Sequence, residues 1–246
     1  MAQQLIVDIG NTSAKVFFFE GHVLLEEFRV AHDGLCSLLA EQVKQRNIRA
    51  AILSSVIPLS DAMEEAVNNL PCSCLRMSSQ LKLPFKTIYK TPHTLGPDRL
   101  AAAVGAWCHR PHNDLLVIDV GTAITYDVVT ADGFHLGGNI SPGIDMRLKA
   151  LNLFTGKLPL ISKEGERTPI GDTTETALRE GVLQGVCYEI EGYVRTYANK
   201  YGQLLIFLTG GDANLLDNQT KSRTFADSLL VAKGLNHILL LNNETK

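Results

Sequence analysis

Two hydrophobic periods divide this chain. Apolar runs of strand length stand at residues 5–9, 14–20 and 23–30, the last two parted by the turn Glu20-Gly21-His22. Helical spacing follows at 35–45, where Leu35, Leu38, Leu39 and Val43 share one face. A buried strand at 50–56 and a helix at 60–69 come next, with Ser60 or Asp61 placed to cap it. Residues 74–77 are a candidate strand and 78–96 a loop. Residues 98–109 are a helix opened by Pro97-Asp98, proline and acid both being at home in a first turn.

The second half repeats the opening. Strands are predicted at 115–119, 123–130 and 134–140, with the turn Ala131-Asp132-Gly133 between the last two. Ser141-Pro142-Gly143 leads into a helix at 144–151, and 152–171 lacks periodicity and reads as an exposed loop. Residues 174–201 predict a long helix. Its Gly181, Gly185 and Gly192 each weaken an isolated helix by about 1 kcal/mol, so close packing against a neighbour is expected there. A strand at 204–209 ends in Gly210-Gly211, a short helix starts at 214–216, and the last helix is predicted at 226–241. Strand-strand-strand-helix-strand-helix, stated twice, predicts an α/β chain of two halves, 1–112 and 113–246, with a cleft between them.

Composition narrows the class. Apolar residues make up 45% and charged residues 20% of the chain, which is globular rather than disordered. A net charge of −3 argues against non-specific nucleic-acid binding, which needs a concentrated positive face. No apolar run approaches the roughly 18 residues of a spanning helix, and Met1 to Gln4 run straight into a strand with no export signal. The expectation is a soluble cytoplasmic protein with no membrane partner. An odd count of five cysteines fits reduced thiols, and no Cys-x-x-Cys or His pair supports a zinc site.

The most informative repeat lies at two strand ends. Asp8-Ile9-Gly10-Asn11-Thr12 and Asp119-Val120-Gly121-Thr122 each stop an apolar strand on a carboxylate and turn through glycine, 119 − 8 = 111 positions apart. Such a turn brings bare backbone N–H groups close to a phosphate. Asn11 and Thr12 can add side-chain donors and Lys15 a charge. A plain hairpin is the competing reading for one such turn; two in register point to phosphate or metal binding. The aspartates would repel a triphosphate without a cation, so they imply Mg²⁺, which bridges phosphates while keeping most of its waters. Neither G-x-x-x-x-G-K-[ST] nor a G-x-G-x-x-G after a strand is present. Gly210-Gly211 could let an adenine ring lie against backbone, or could be a simple strand-to-helix turn.

Thr94-Leu95-Gly96-Pro97-Asp98-Arg99 sets an acid and an arginine at a helix start. An aspartate so placed can accept the proton of an attacking alcohol in phosphoryl transfer, and an arginine fork can hold a carboxylate or phosphate. The alternative is a helix cap with a solvated arginine beside it.

In order, DIGNT, LGPDR, DVGTAIT, GGNISPG with Met146, and TGGD resemble the type III pantothenate kinases. That family belongs to the superfamily of acetate kinases, sugar kinases, Hsp70 and actin. The resemblance runs from Leu5 to Gly211 and implies a duplicated ribonuclease-H-like (actin-like ATPase) fold. It implies an enzyme that uses ATP to phosphorylate pantothenate, the first step of coenzyme A biosynthesis. Asp8, Ile9, Gly10, Asn11, Thr12, Ser13, Ala14 and Lys15 would form the first ATP loop, and Thr122 would touch ATP from the second. Asp119 would be the ligand of a monovalent cation, K⁺ or NH₄⁺. Asp98 would be the general base. Gly96, Pro97, Asp98 and Arg99, with Tyr89, would wrap the pantothenate. Thr174 matches a threonine from the partner subunit of a homodimer whose substrate site lies at the interface; Thr173 competes for that role.

Overall fold

The computed structural model describes residues 2–215 and 224–243. Its strands and helices, in chain order, are β1 (Gln3–Ile9), β2 (Ala14–Glu20), β3 (Val23–Val30), α1 (Leu35–Lys44), β4 (Ile48–Ser55), α2 (Asp61–Asn68), β5 (Cys74–Arg76), β6 (Lys86–Thr87) and α3 (Pro97–His109). There follow β7 (Asp114–Val120), β8 (Ala123–Val129), β9 (Phe134–Pro142), α4 (Ile144–Leu153), α5 (Thr174–Tyr201), β10 (Leu204–Thr209), β11 (Thr224–Ala226) and α6 (Leu230–Asn243). They gather into two compact units. The first takes the chain up to His112, Asp132–Leu136 and the chain from Leu229 on; the second takes Asn113–Ala131 and Gly137–Ser228.

In the first unit the sheet runs β3-β2-β1-β4-β5. β1 is antiparallel to β2 and parallel to β4. Alternation along the strands decides what each face buries. Leu5, Val7, Ile9, Ala14, Val16, Phe18, Ala51 and Leu53 pack on Leu35 and Leu39 of α1 and on Met63 and Val67 of α2. Ile6, Asp8, Lys15, Phe17, Ile52 and Ser54 therefore point to the opposite face, where α3 and α6 pack against β1 and β4. α3 is almost wholly buried, from Arg99 to Trp107.

α3 and α6 meet backbone to backbone. A Cβ at Gly105 would overlap the Leu230 carbonyl, and one at Gly234 the Ala101 carbonyl. Ala101, Ala102 and Ala103 of α3 are all buried. This contact ties the C-terminal helix to the first unit, whereas a division at 112/113 assigns it to the second half.

The second unit's strands, read outward from β9, run β9-β8-β7-β10-β11. That is the first sheet's order over again. β7 is antiparallel to β8 and parallel to β10, as β1 is to β2 and β4. β11 was not expected from the sequence, and α6 begins at Leu230 rather than at 226. The turn at 213–215 is a short 3-10 helix; Leu216, expected in it, lies outside the described residues. The loop expected at 78–96 holds the two-residue strand β6, paired in parallel with Phe134 and His135. Among the described residues no helix is long and apolar enough to cross a membrane.

Candidate active site

The first corner is a tight β1–β2 turn. Gly10 N–H donates to the Ser13 carbonyl at 3.1 Å, and Asn11 and Thr12 stand exposed at the tip. His32 Nε2 lies 3.0 Å from the Gly10 carbonyl and Arg29 Nε donates to Ser13 Oγ at 3.1 Å, so β3 and the segment after it hold the turn from outside. Asp8 pairs with Lys15 across the hairpin and with Ser54 on β4. Burial pushes the Asp8 carboxyl up to about 6; the Ser54 hydroxyl and Lys15 oppose the rise, and the charge of Asp98 adds to it. Ser54 is fully buried, and its hydroxyl makes no hydrogen bond of full geometry although it stands near enough to Asp8 to lower it.

Asp98 reaches this corner because α3 begins there. Gly96 is the N-cap and Pro97 the first helical residue. The Asp98 Oδ1 accepts the Arg99 N–H at 2.8 Å, folded over Gly96 so closely that a Cβ on that glycine would sit 2.5 Å from it. Asp98 keeps partial exposure. Arg99 does not: it is 5% exposed, with its guanidinium 5.8 Å from the Tyr89 ring, so the solvated-neighbour reading fails. Tyr89 is placed by the strap that carries it. Its N–H donates to Thr87 Oγ1 at 3.3 Å, and Thr87 Oγ1 pairs with His135 Nδ1 at 3.1 Å. His135 is fully buried and stacked on Phe85. Sequence reasoning missed His135, because only the pairing of β6 with β9 brings it there.

The second corner repeats the first in its own unit. Gly121 N–H donates to the Ala123 carbonyl at 3.1 Å. Asp119 pairs with Thr209 on the parallel strand, as Asp8 does with Ser54, and Thr209 is 1% exposed. Across the hairpin Asp119 faces Thr125, where the first corner has Lys15. Gly210, at φ +99°, lies so close that a Cβ would sit 2.5 Å from Asp119 Oδ1 and would overlap the Val120 carbonyl; only glycine fits. Asp212 N–H donates to that same carbonyl at 3.0 Å. Gly143 N–H donates to the Thr122 carbonyl at 3.1 Å, setting the β9–α4 turn beneath exposed Thr122. Glu189 of α5 braces that turn. It accepts from Tyr126 at 2.7 Å, from Ser141 and from Arg147. Burial alone would raise the Glu189 carboxyl, but hydrogen bonds from Arg147, Ser141 and Tyr126 outweigh it and hold the group below its ordinary value.

The segment between α4 and α5 is less free than its sequence implied. Lys163 bridges Asp145 at 2.9 Å and Asp212 at 2.6 Å, and buried Arg179 donates to the carbonyls of Ser162 and Glu166. Thr173 caps α5 through a reciprocal pair with Thr176, which occupies its hydroxyl. Thr174, one residue on, is exposed and lines an apolar cavity of about 520 Å³ between Leu151, Leu158, Ala177 and Leu178. The expected close neighbour of Gly181, Gly185 and Gly192 is absent from the described chain: a Cβ on any of them would meet nothing within 4 Å. Among the described residues no three His, Cys, Asp or Glu side chains gather as a metal cluster.

The family model described as type III pantothenate kinase matches residues 4–196. A type III pantothenate kinase of Phocaeicola vulgatus is 46% identical over 240 residues, covering 98% of this chain and 99% of that one. One from Bacteroides fragilis is 48% identical over 239 residues, covering 97% and 98%. Among solved structures, a Campylobacter jejuni protein provisionally described as a Baf family transcriptional activator has a TM-score of 0.65 at 24% identity, covering 98% of this chain and 99% of that one. The ethanolamine utilization protein EutJ of Carboxydothermus hydrogenoformans has a TM-score of 0.55 at 13% identity, covering 95% and 89%. These structural likenesses carry the fold alone, the duplicated actin-like ATPase fold.

Proposed function

This chain belongs to the type III pantothenate kinase family, and from that premise we infer that it transfers the γ-phosphoryl group of ATP to pantothenate, giving 4′-phosphopantothenate and ADP at the start of coenzyme A biosynthesis. The observation that carries the site assignment is the closeness of Asp98 to Asp8. It sets an acid at a helix start beside a glycine turn suited to phosphate.

In this reading Gly10 to Lys15 hold the phosphates through backbone N–H groups, the Asn11 and Thr12 side chains and the Lys15 charge. Thr122 contributes from the second turn. Tyr89, Gly96, Pro97, Asp98 and Arg99 hold pantothenate. Asp98 accepts the proton of the primary hydroxyl as its oxygen bonds to the γ-phosphorus and the bond to the β-phosphate oxygen breaks. The buried guanidinium of Arg99, on Tyr89, is fixed to orient an anionic oxygen.

The residues fit the expected cations by donor type. Asp8 is pushed up by burial and by Asp98, so a cation beside it would relieve a real electrostatic cost. One or two carboxylates with phosphate oxygens suit Mg²⁺, which when bound neutralises charge on the phosphates. Asp119, with the Val120 carbonyl and the Gly210 backbone against it, offers the oxygen donors a K⁺ or NH₄⁺ ion takes.

A homodimer is the assembly we favour. Leu153, Phe154, Met146 and Tyr188 are exposed apolar side chains on α4 and α5 and just beyond, next to the open glycine positions of α5. Thr174 opens the same face, and the family resemblance assigns the Thr174 of a second copy to the pantothenate site. We propose a cytoplasmic enzyme with no nucleic-acid or membrane partner, a reading supported by its five free cysteines, which suit a reducing compartment. ADP release should depend on pantothenate and rise when K⁺ or NH₄⁺ replaces Na⁺. Equal ADP release with and without pantothenate would overturn the reading, and sedimentation as a monomer would remove the dimer.

A further inference from the structure

The polar row that begins at Ser54 and Asp8 does not stop at Lys15. Backbone register pairs Ser54 with Asp8, Asp8 with Lys15, and Lys15 with Arg29. Directly paired residues project from the same face of a sheet. Ser54, Asp8, Lys15 and Arg29 therefore form one line across β4, β1, β2 and β3, on the face that α3 approaches with Asp98. Exposure rises along it, from buried Ser54 through partly buried Asp8 and Lys15 to exposed Arg29.

Arg29 does not simply extend into solvent. Its Nε donates to Ser13 Oγ, which lays the guanidinium against the turn proposed to hold phosphate. That bond uses one of the five N–H groups of the fork. We propose that Arg29 is a further nucleotide-binding residue, its guanidinium taking terminal phosphate oxygens of ATP while Ser13 keeps it in place. The proposal rests on the reading that Gly10 to Lys15 bind ATP.

Charge supports the assignment. Within reach of the corner Lys15 is set against the two carboxylates Asp8 and Asp98. A nucleoside triphosphate adds several more negative charges, and a second cation on the same row offsets part of them. The duplicated fold supplies an internal comparison: at the second corner the position of Lys15 is taken by Thr125, so a cationic row marks the first turn and not the fold in general. An arginine fork also matches phosphate oxygens in two-point contact, which a lysine does not.

The competing role is a tether, in which Arg29 only shapes the turn through Ser13. Titration calorimetry with ATP, ADP and AMP separates the two, using the full chain, Arg29→Gln, Arg29→Lys, Ser13→Ala and Lys15→Gln. Loss of a charge-assisted contact to a terminal phosphate should weaken ATP by about tenfold in Arg29→Gln, leave AMP within about twofold, and shrink as salt is raised. Arg29→Lys should recover part of the loss. Arg29 is exposed and the variants should melt with the wild type. Equal weakening of all three nucleotides, reproduced by Ser13→Ala, would make Arg29 a tether and overturn the proposal, as would unchanged ATP affinity in Arg29→Gln. If Lys15→Gln also left ATP affinity unchanged, the assignment of the turn itself would fail; a loss in Lys15→Gln alone would sink only the role of Arg29.

Discussion

Asp98, at the start of α3, lies close enough to Asp8, at the end of β1, for its charge to help raise the Asp8 carboxyl. The cause is the sheet's alternation. Leu5, Val7 and Ile9 turn toward α1 and α2, so Asp8 turns toward the face that α3 covers. A glycine before Pro97 lets the Asp98 carboxylate fold back over the helix end instead of away from it. Two acids 98 − 8 = 90 positions apart in sequence thus come near one another at one strand end.

Asp8 should make the ligand-free protein less stable as pH rises. An acid raised from 3.8 to about 6 on folding keeps an extra proton in the folded state, so its favourable contribution is complete at low pH and is lost as pH climbs through about 6. Asp8→Asn removes that loss. In urea titrations without nucleotide, the variant's advantage over the wild type should be larger at pH 8 than at pH 5 by about 1–2 kcal/mol. An advantage that is flat with pH, or reversed, would contradict the burial of Asp8.

Thr173 and Thr174 should separate cleanly. Thr173→Ala removes the cap of α5 and should cost about 1 kcal/mol of stability. Thr174→Ala, at an exposed position, should change stability by less than about 0.5 kcal/mol. Its effect should instead appear as a raised KM for pantothenate with the KM for ATP unchanged. Melting curves with steady-state kinetics on both variants decide it; the opposite assignment follows if Thr173→Ala alone raises the KM.

Two glycine-to-alanine changes should act in opposite directions. Gly234→Ala drives a methyl into the Ala101 carbonyl where α6 crosses α3 and should cost about 1–3 kcal/mol. Gly181→Ala meets open space and should stiffen α5, gaining up to about 1 kcal/mol in the isolated chain. If α5 is the dimer face, Gly181→Ala should also weaken self-association in sedimentation equilibrium. Melting of the dissociated chain that moves the same way in both variants would contradict the packing described.

Much of the candidate site's geometry is legible in local sequence, because its proposed parts are local. A strand ending on Asp-x-Gly is a carboxylate followed by a turn, and both corners are where that pattern puts them. What could not be read depends on pairings between distant segments. Ser54 and Thr209 earn a place beside the aspartates only through parallel register with β1 and β7. His135 reaches Thr87 only because a two-residue strand joins β9. The final helix belongs with the first unit for the same reason: Gly105 and Gly234 look like weak helix positions in sequence, and only the crossing of α3 and α6 explains them. The α5 glycines had the opposite fate, since the neighbour they predicted is not part of the described chain.

The most direct test of the account is turnover in Asp98→Asn. The substitution keeps size and the bond to the Arg99 N–H but cannot accept a proton. Pantothenate-dependent ADP release should fall by about 10²–10⁴-fold, while ATP affinity and melting temperature stay close to the wild type. Near-normal turnover in a folded Asp98→Asn protein would show that the proton leaves pantothenate by another route and that the acid beside Asp8 is not the base.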